Sequence, residues 1–148
     1  MKIAIATDHN GVNEKEDLIK YLEEKELEIL DLSQDNNPTD DYPDFAFRVA
    51  ESVKNNECNL GILLCGTGRG MSIAANKVKG IRCAHVSNVD EAYLSRQHNN
   101  ANIIALSYKN DLQENLKIIH KFIETPFSNE ERHIRRIDKI KEYEVTNG

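Results

Sequence analysis

Gly61-Ile62-Leu63-Leu64-Cys65-Gly66-Thr67-Gly68-Arg69-Gly70-Met71-Ser72 is the stretch on which the fold turns. An apolar run ends on a cysteine, and Gly66, Gly68 and Gly70 follow at once. The order predicts a buried strand over 60–64 with a thiol at its tip, against a loop whose backbone amides can converge on an anion. A helix is expected to start there, and its positive end favours thiolate over thiol. Such an arrangement suits an enzyme that moves a proton on a small, negatively charged substrate.

Outward from this stretch, strands and helices alternate. Ile3-Ala4-Ile5-Ala6-Thr7 is a short apolar strand closed by Asp8-His9-Asn10-Gly11. Leu18, Ile19 and Leu22 then recur at helical spacing. A second strand is expected over 28–32 and a polar loop over 35–41. Pro43 suits a helix's first turn, with Phe45, Val49 and Val53 along one face. A helix over 71–78, a strand over 81–86, a helix over 89–98 and a strand over 103–106 follow. Leu112, Leu116, Ile119 and Ile123 mark another amphipathic helix, which Pro126 ends. The segment 129–143 reads as a final, strongly charged helix.

Alternation of this kind implies crossover connections, hence an α/β fold with a mostly parallel sheet and helices on both faces. Ligands in such folds sit outside the carboxyl ends of the strands. Asp8-His9, Cys65-Gly66-Thr67-Gly68 and His98-Asn99 are all expected on that one edge. No internal repeat, low-complexity tract or linker interrupts the chain, so residues 1–148 are expected to form one domain.

Composition narrows the function. The chain has 148 residues, 39% of them hydrophobic and 30% charged, which describes a soluble globular domain with a real core. No membrane-spanning run or secretory layout is visible. A formal charge of -6 argues against general nucleic-acid binding. Cys58, Cys65 and Cys83 form a sparse, odd set without metal-ligand spacing, and read as reduced thiols in a cytosol. The glycine loop is not a dinucleotide fingerprint, because Met71 stands where the third glycine would be. It also lacks the Gly-Lys-Ser/Thr of a phosphate loop, so NAD and ATP are both disfavoured.

Each candidate group has a plainer alternative. Cys65 taken alone is a small core residue; the glycines and helix start behind it favour reactivity. Asp8 and His9 could be a helix cap and a surface imidazole, and His98 a helix-end histidine favoured by the dipole. His85 and His120 have no polar cluster near them in sequence and read as structural. Arg132-His133-Ile134-Arg135-Arg136 is a basic knot in an acidic chain. Its plain reading is a solvated helix face; against that, Arg132 and Arg136 stand one turn apart and suit a phosphate clamp.

These motifs together resemble the type B ribose-5-phosphate isomerases, a family that also includes galactose-6-phosphate and allose-6-phosphate isomerases. The resemblance rests on Asp8-His9, Asp41-Tyr42-Pro43-Asp44, Gly61 to Gly68, Met71 to Lys77, Gly80-Ile81-Arg82, His98-Asn99 and Arg132 to Arg136. It covers nearly the whole chain, from Lys2 to about Ile140. It implies a three-layer, Rossmann-like fold with a five-stranded parallel sheet, without metal or nucleotide cofactor. It also implies a homodimer or dimer of dimers whose active sites are shared between two subunits.

By the same resemblance, Cys65 matches the base that moves a proton between C1 and C2 of an open-chain sugar phosphate. Thr67 matches the hydroxyl that relays protons between the two oxygens. The amides around Gly66, Gly68 and Gly70, with Asn99, match the anion hole for the enediolate. Asp8 and His98 match the groups that open the furanose ring. His9, Arg132 and Arg136 match the phosphate binders, and Tyr42 lines the pocket. Lys109 stands where many members have an arginine that reaches the phosphate from the neighbouring subunit. Lysine keeps the charge but loses the bidentate fork. Two further departures are Arg69, where a small or apolar residue is usual, and Asn10-Gly11-Val12, in place of an Ala-Gly-aromatic run.

The expected activity is therefore interconversion of ribose 5-phosphate and ribulose 5-phosphate in a cytoplasmic enzyme. An isomerase of a hexose 6-phosphate is the nearest alternative, and a catalytically silent sugar-phosphate or nucleotide sensor is the alternative from another class. Retention of Cys65, Thr67 and His98 together argues against the silent protein, since a binder needs no base.

Overall fold

A computed structural model describes residues 1–147. Its core is five parallel strands in the order β2-β1-β3-β5-β4. These are β1 (Lys2–Thr7), β2 (Glu28–Asp31), β3 (Leu60–Cys65), β4 (Cys83–His85) and β5 (Ile103–Ser107). The helices are α1 (Val12–Glu23), α2 (Tyr42–Lys54), α3 (Arg69–Ala75), α4 (Val89–Gln97), α5 (Leu112–Glu124) and α6 (Glu131–Asn147).

The strands are short apolar runs because both faces of the sheet are covered. Ala4, Ala6, Leu63, Cys65, Ile103 and Ala105 pack against Phe45, Val49 and Met71 from α2 and α3. The alternate residues Ile3, Ile5, Ile62, Leu64, Ile104 and Leu106 pack against Leu18 and Leu22 of α1, Ala92 of α4, and Ile119 and Phe122 of α5. Strand alternation thus decides which way Cys65 points: it shares the α2/α3 face with Leu63.

Local chemistry sets the helix ends. Pro43 occupies the first turn of α2. The Asn88 side chain accepts from the Glu91 amide at 2.9 Å. Glu91 reaches back to the Ser87 amide at 2.6 Å, so the start of α4 is capped from both directions. Asp111 caps α5 by accepting from the Gln113 amide at 3.2 Å.

Three expected boundaries move. The helix behind the glycine loop stops at Ala75, earlier than expected. There the Asn76 side chain joins the edge of β4, with its Nδ2 donating to the Cys83 carbonyl and its Oδ1 accepting from the Cys83 amide, both at 2.8 Å. The fourth strand shrinks to Cys83–His85, because at its start the Arg82 amide donates to the Asn102 side chain instead of a ladder carbonyl. The last helix starts at Glu131, since Asn129 takes a left-handed φ of 58°, and it runs on to Asn147.

Candidate active site

The central strands β1, β3 and β5 lie side by side, so their ends form one shelf. At the tip of β3, Cys65 is 6% exposed, and its Sγ accepts from the Gly68 amide at 3.1 Å. That bond folds the loop back over the thiol. Gly68 makes the turn at φ 84°, and a Cβ there would meet the His85 ring at 2.8 Å and the Ala105 carbonyl at 3.1 Å. Both conformation and space therefore demand glycine at this position. Thr67 Oγ1 accepts from the Arg69 amide at 3.2 Å, which leaves its own hydrogen free to donate. Tyr42 packs directly on Gly70, where an added Cβ would lie 2.6 Å from its ring.

The end of β1 supplies the next groups. Asp8 caps the turn that follows it, accepting from the Asn10 amide at 3.0 Å. The Asp40 carboxylate accepts from the His9 amide at 3.0 Å and meets His9 Nδ1 at 2.7 Å. This hydrogen bond, reinforced by the charges of Asp40 and Asp8, holds the imidazole above its ordinary pKa and so in its cationic form to higher pH. Nε2 is left for a ligand. Asp40 is itself set by Asn36 Nδ2 at 2.9 Å and by the Asn37 amide at 3.1 Å. Behind this loop, the buried Lys15 ammonium bonds the Asp31 carboxylate at 3.0 Å and the Ser33 carbonyl at 2.9 Å. A buried lysine with its charge paired and its donors used is a rigid peg, and it anchors the chain that carries Asp40.

The expectation that His98-Asn99 joins this shelf does not hold. A helix between parallel strands carries the chain back to the edge where the next strand begins. His98 closes α4 and precedes β5, so it lies at the amino edge of the sheet. The neighbouring contacts agree: Arg82 Nε, just before β4, donates to the Asn99 and Asn100 carbonyls at 3.1 Å. The length of β5 separates this edge from Cys65, roughly 15 Å at ~3.3 Å per residue.

A second cluster forms at the amino edge. His98 stacks on His133 of α6 with ring centroids 4.4 Å apart. His133 is 5% exposed, and its Nδ1 meets the Ser128 hydroxyl at 2.7 Å. Burial, then the nearby charges of His98 and Arg132, push the His133 pKa down, so this ring is a neutral platform. Arg132 and Arg136, on successive turns of α6, are both exposed to solvent. Arg132 pairs with Glu130 at 3.0 Å in this state. Lys109 is exposed in the turn after β5, on the Cys65 edge, and Arg69 is likewise exposed at the start of α3.

Four residues outside the sequence-derived set belong to these clusters. Asp40 orients His9, and Tyr108 packs against Gly11 beside the Cys65 loop. His133 supports His98, and His85 Nε2 pairs with the Thr67 carbonyl at 2.8 Å. His85 keeps its structural reading but acts on the glycine loop itself. Among the described residues, no group of three or more His, Cys, Asp or Glu side chains could hold a metal ion. Nor is any described helix long and apolar enough to cross a membrane.

Comparison with known proteins gives one answer. The family model described as Ribose/Galactose Isomerase matches residues 3–140. The chain is 44% identical over 144 residues to the probable ribose-5-phosphate isomerase B of Mycoplasma pneumoniae, covering 96% of this chain and 94% of that one. The structure superposes on Clostridium thermocellum ribose-5-phosphate isomerase B with a TM-score of 0.95 at 44% identity, covering all of both chains. It is also similar to the Mycoplasma genitalium ribose-5-phosphate isomerase B solved with bound ribulose-5-phosphate: TM-score 0.92, 46% identity, 99% of this chain and 97% of that one. This chain belongs to the ribose/galactose isomerase family.

Proposed function

We propose that this chain interconverts ribose 5-phosphate and ribulose 5-phosphate through an enediolate. The observation that carries the reading is Cys65 at a strand tip, its sulfur held by the Gly68 amide inside a loop of further amides. In the first step the C1–O4 bond of the furanose breaks: O1 loses its proton, and O4 takes the bonding pair and a proton. Asp8 and His98 serve this exchange. The Cys65 thiolate then takes the C2 proton, the electron pair moves into the enediolate, and the proton returns at C1. Thr67 shuttles protons between O1 and O2. The amides of Gly66 and Gly70, with Asn99, hold the negative oxygen, while the Gly68 amide stays on the Cys65 sulfur.

Phosphate binding falls to His9, whose cationic form Asp40 favours, and to the Arg132 and Arg136 guanidiniums, with Lys109 as a further cation. Remote binding of this kind holds the reacting carbons in place.

The two edges impose a condition on this scheme. Within one chain, Cys65 and His98 lie at opposite ends of the sheet, too far apart to work on one five-carbon sugar. The reading therefore requires two copies of the chain, as a homodimer or dimer of dimers, with the Cys65 edge of one facing the His98 edge of the other. A coupled assay over ribose 5-phosphate, allose 6-phosphate and galactose 6-phosphate tests the activity. Highest kcat/KM on the pentose is expected, a preference for either hexose would move the assignment, and no turnover of any would reject it.

A further inference from the structure

Three central strands end at the shelf, and the proton-transfer steps of the scheme draw on only two of them. β1 delivers Asp8 and β3 delivers Cys65, while β5 delivers Tyr108, which no motif marks. The Tyr108 amide donates to the Cys65 carbonyl at 3.1 Å, which ties the residue to the strand tip. Its ring packs against the Asp8 turn: a Cβ on Gly11 would lie 2.8 Å from Tyr108 Cδ2. Its hydroxyl would be 3.6 Å from a Cβ on Gly66, so the phenol spans from that turn to the glycine loop. The Asn10 side chain lies near the phenol without forming a hydrogen bond to it. Burial, followed by the negative charges of Asp8 and Cys65, pushes the phenol above its ordinary pKa, so it is a neutral donor at working pH.

We propose that Tyr108 touches the sugar, its hydroxyl donating a hydrogen bond to a substrate oxygen at the reacting end, between Asp8 and Cys65. The inference rests on the sugar site described above. Both flanking groups act there as bases, and charge develops on the sugar's oxygens. A neutral donor supports that charge without competing for the proton. The hydroxyl carries one hydrogen and two lone pairs, so its hydrogen is available to the ligand.

Tyr108→Phe keeps the ring against Gly11 and removes only the donor. Its kcat/KM for ribose 5-phosphate is expected to fall roughly 3- to 10-fold, the effect of one lost hydrogen bond, with the thermal midpoint unchanged. Asn10→Ala is expected to cost less, because the donor remains. Wild-type kcat/KM in Tyr108→Phe would overturn the proposal. So would an Asn10→Ala variant that reproduces the whole loss, since the hydroxyl would then act only by tethering the Asp8 turn. Cys65→Ala measured alongside separates the two levels: full turnover in that variant rejects the site itself, whatever Tyr108 does.

Discussion

The Cys65 edge and the His98 edge are built in different ways, and the difference matches the different parts that the proposed reaction gives them. At the Cys65 edge the loop holds the thiol tightly, with a left-handed glycine, an amide on the sulfur and a tyrosine packed on Gly70. At the His98 edge the groups stand on helix ends, with one histidine stacked on another and the two arginines in solvent. The first is preorganised for charge that develops in the transition state. The second is open, and suits groups that close on a substrate brought to them.

On the proposed scheme the Cys65 edge carries proton transfer, while ring opening and phosphate capture draw on groups from both edges, and each assignment can be broken. The largest effect is expected from Cys65→Ala, which should cost ~100- to 10,000-fold or more in kcat while sugar-phosphate binding survives. Persistent activity would show that another group is the base. His98→Asn is expected to slow isomerisation of ribose 5-phosphate by ~100-fold or more. It should spare solvent-deuterium exchange at C1 of ribulose 5-phosphate. That ketose cannot close a furanose, because its O5 is esterified, so its exchange needs only the enediolate step. Equal losses in the two measurements would place His98 in proton transfer instead.

Arg132→Ala or Arg136→Ala should mainly raise KM, by about 10- to 100-fold for a charge-assisted contact. An unchanged KM would reject the clamp. The smallest effect belongs to Asp40→Asn. His9 has a raised pKa in the folded chain, so its stabilising cation is fully present below the unfolded value and is lost as pH rises through the folded value. KM for the sugar phosphate is expected to climb with pH across that interval. In Asp40→Asn the climb should begin at lower pH, and a profile identical to wild type would remove Asp40 from phosphate binding.

Much of the Cys65 edge was legible in the sequence, because strand, thiol, glycines and helix follow one another along the chain. Its neighbours were harder to see. Asp40 sits in a loop with other acids, and it is the Asn36 side chain and the Asn37 amide, contacts invisible in the sequence, that hold it against His9. Tyr108 reaches the site only because β5 lies next to β3, a fact of strand order. The placement of His98 on the Cys65 edge failed for a topological reason. The residues before β5 must lie where that strand starts, however well their chemistry matches residues elsewhere. On the proposed reaction, that placement of His98 calls for a second copy.

Mixing two inactive variants tests this need most directly. Cys65→Ala and His98→Asn are each prepared alone, then combined under conditions that let subunits exchange. A hybrid dimer would carry both defects in one site and none in the other. Recovery of roughly a quarter of wild-type turnover is expected for random exchange between two-fold partners. A hybrid dimer, verified by mass, with no recovered activity would contradict a site shared between two chains.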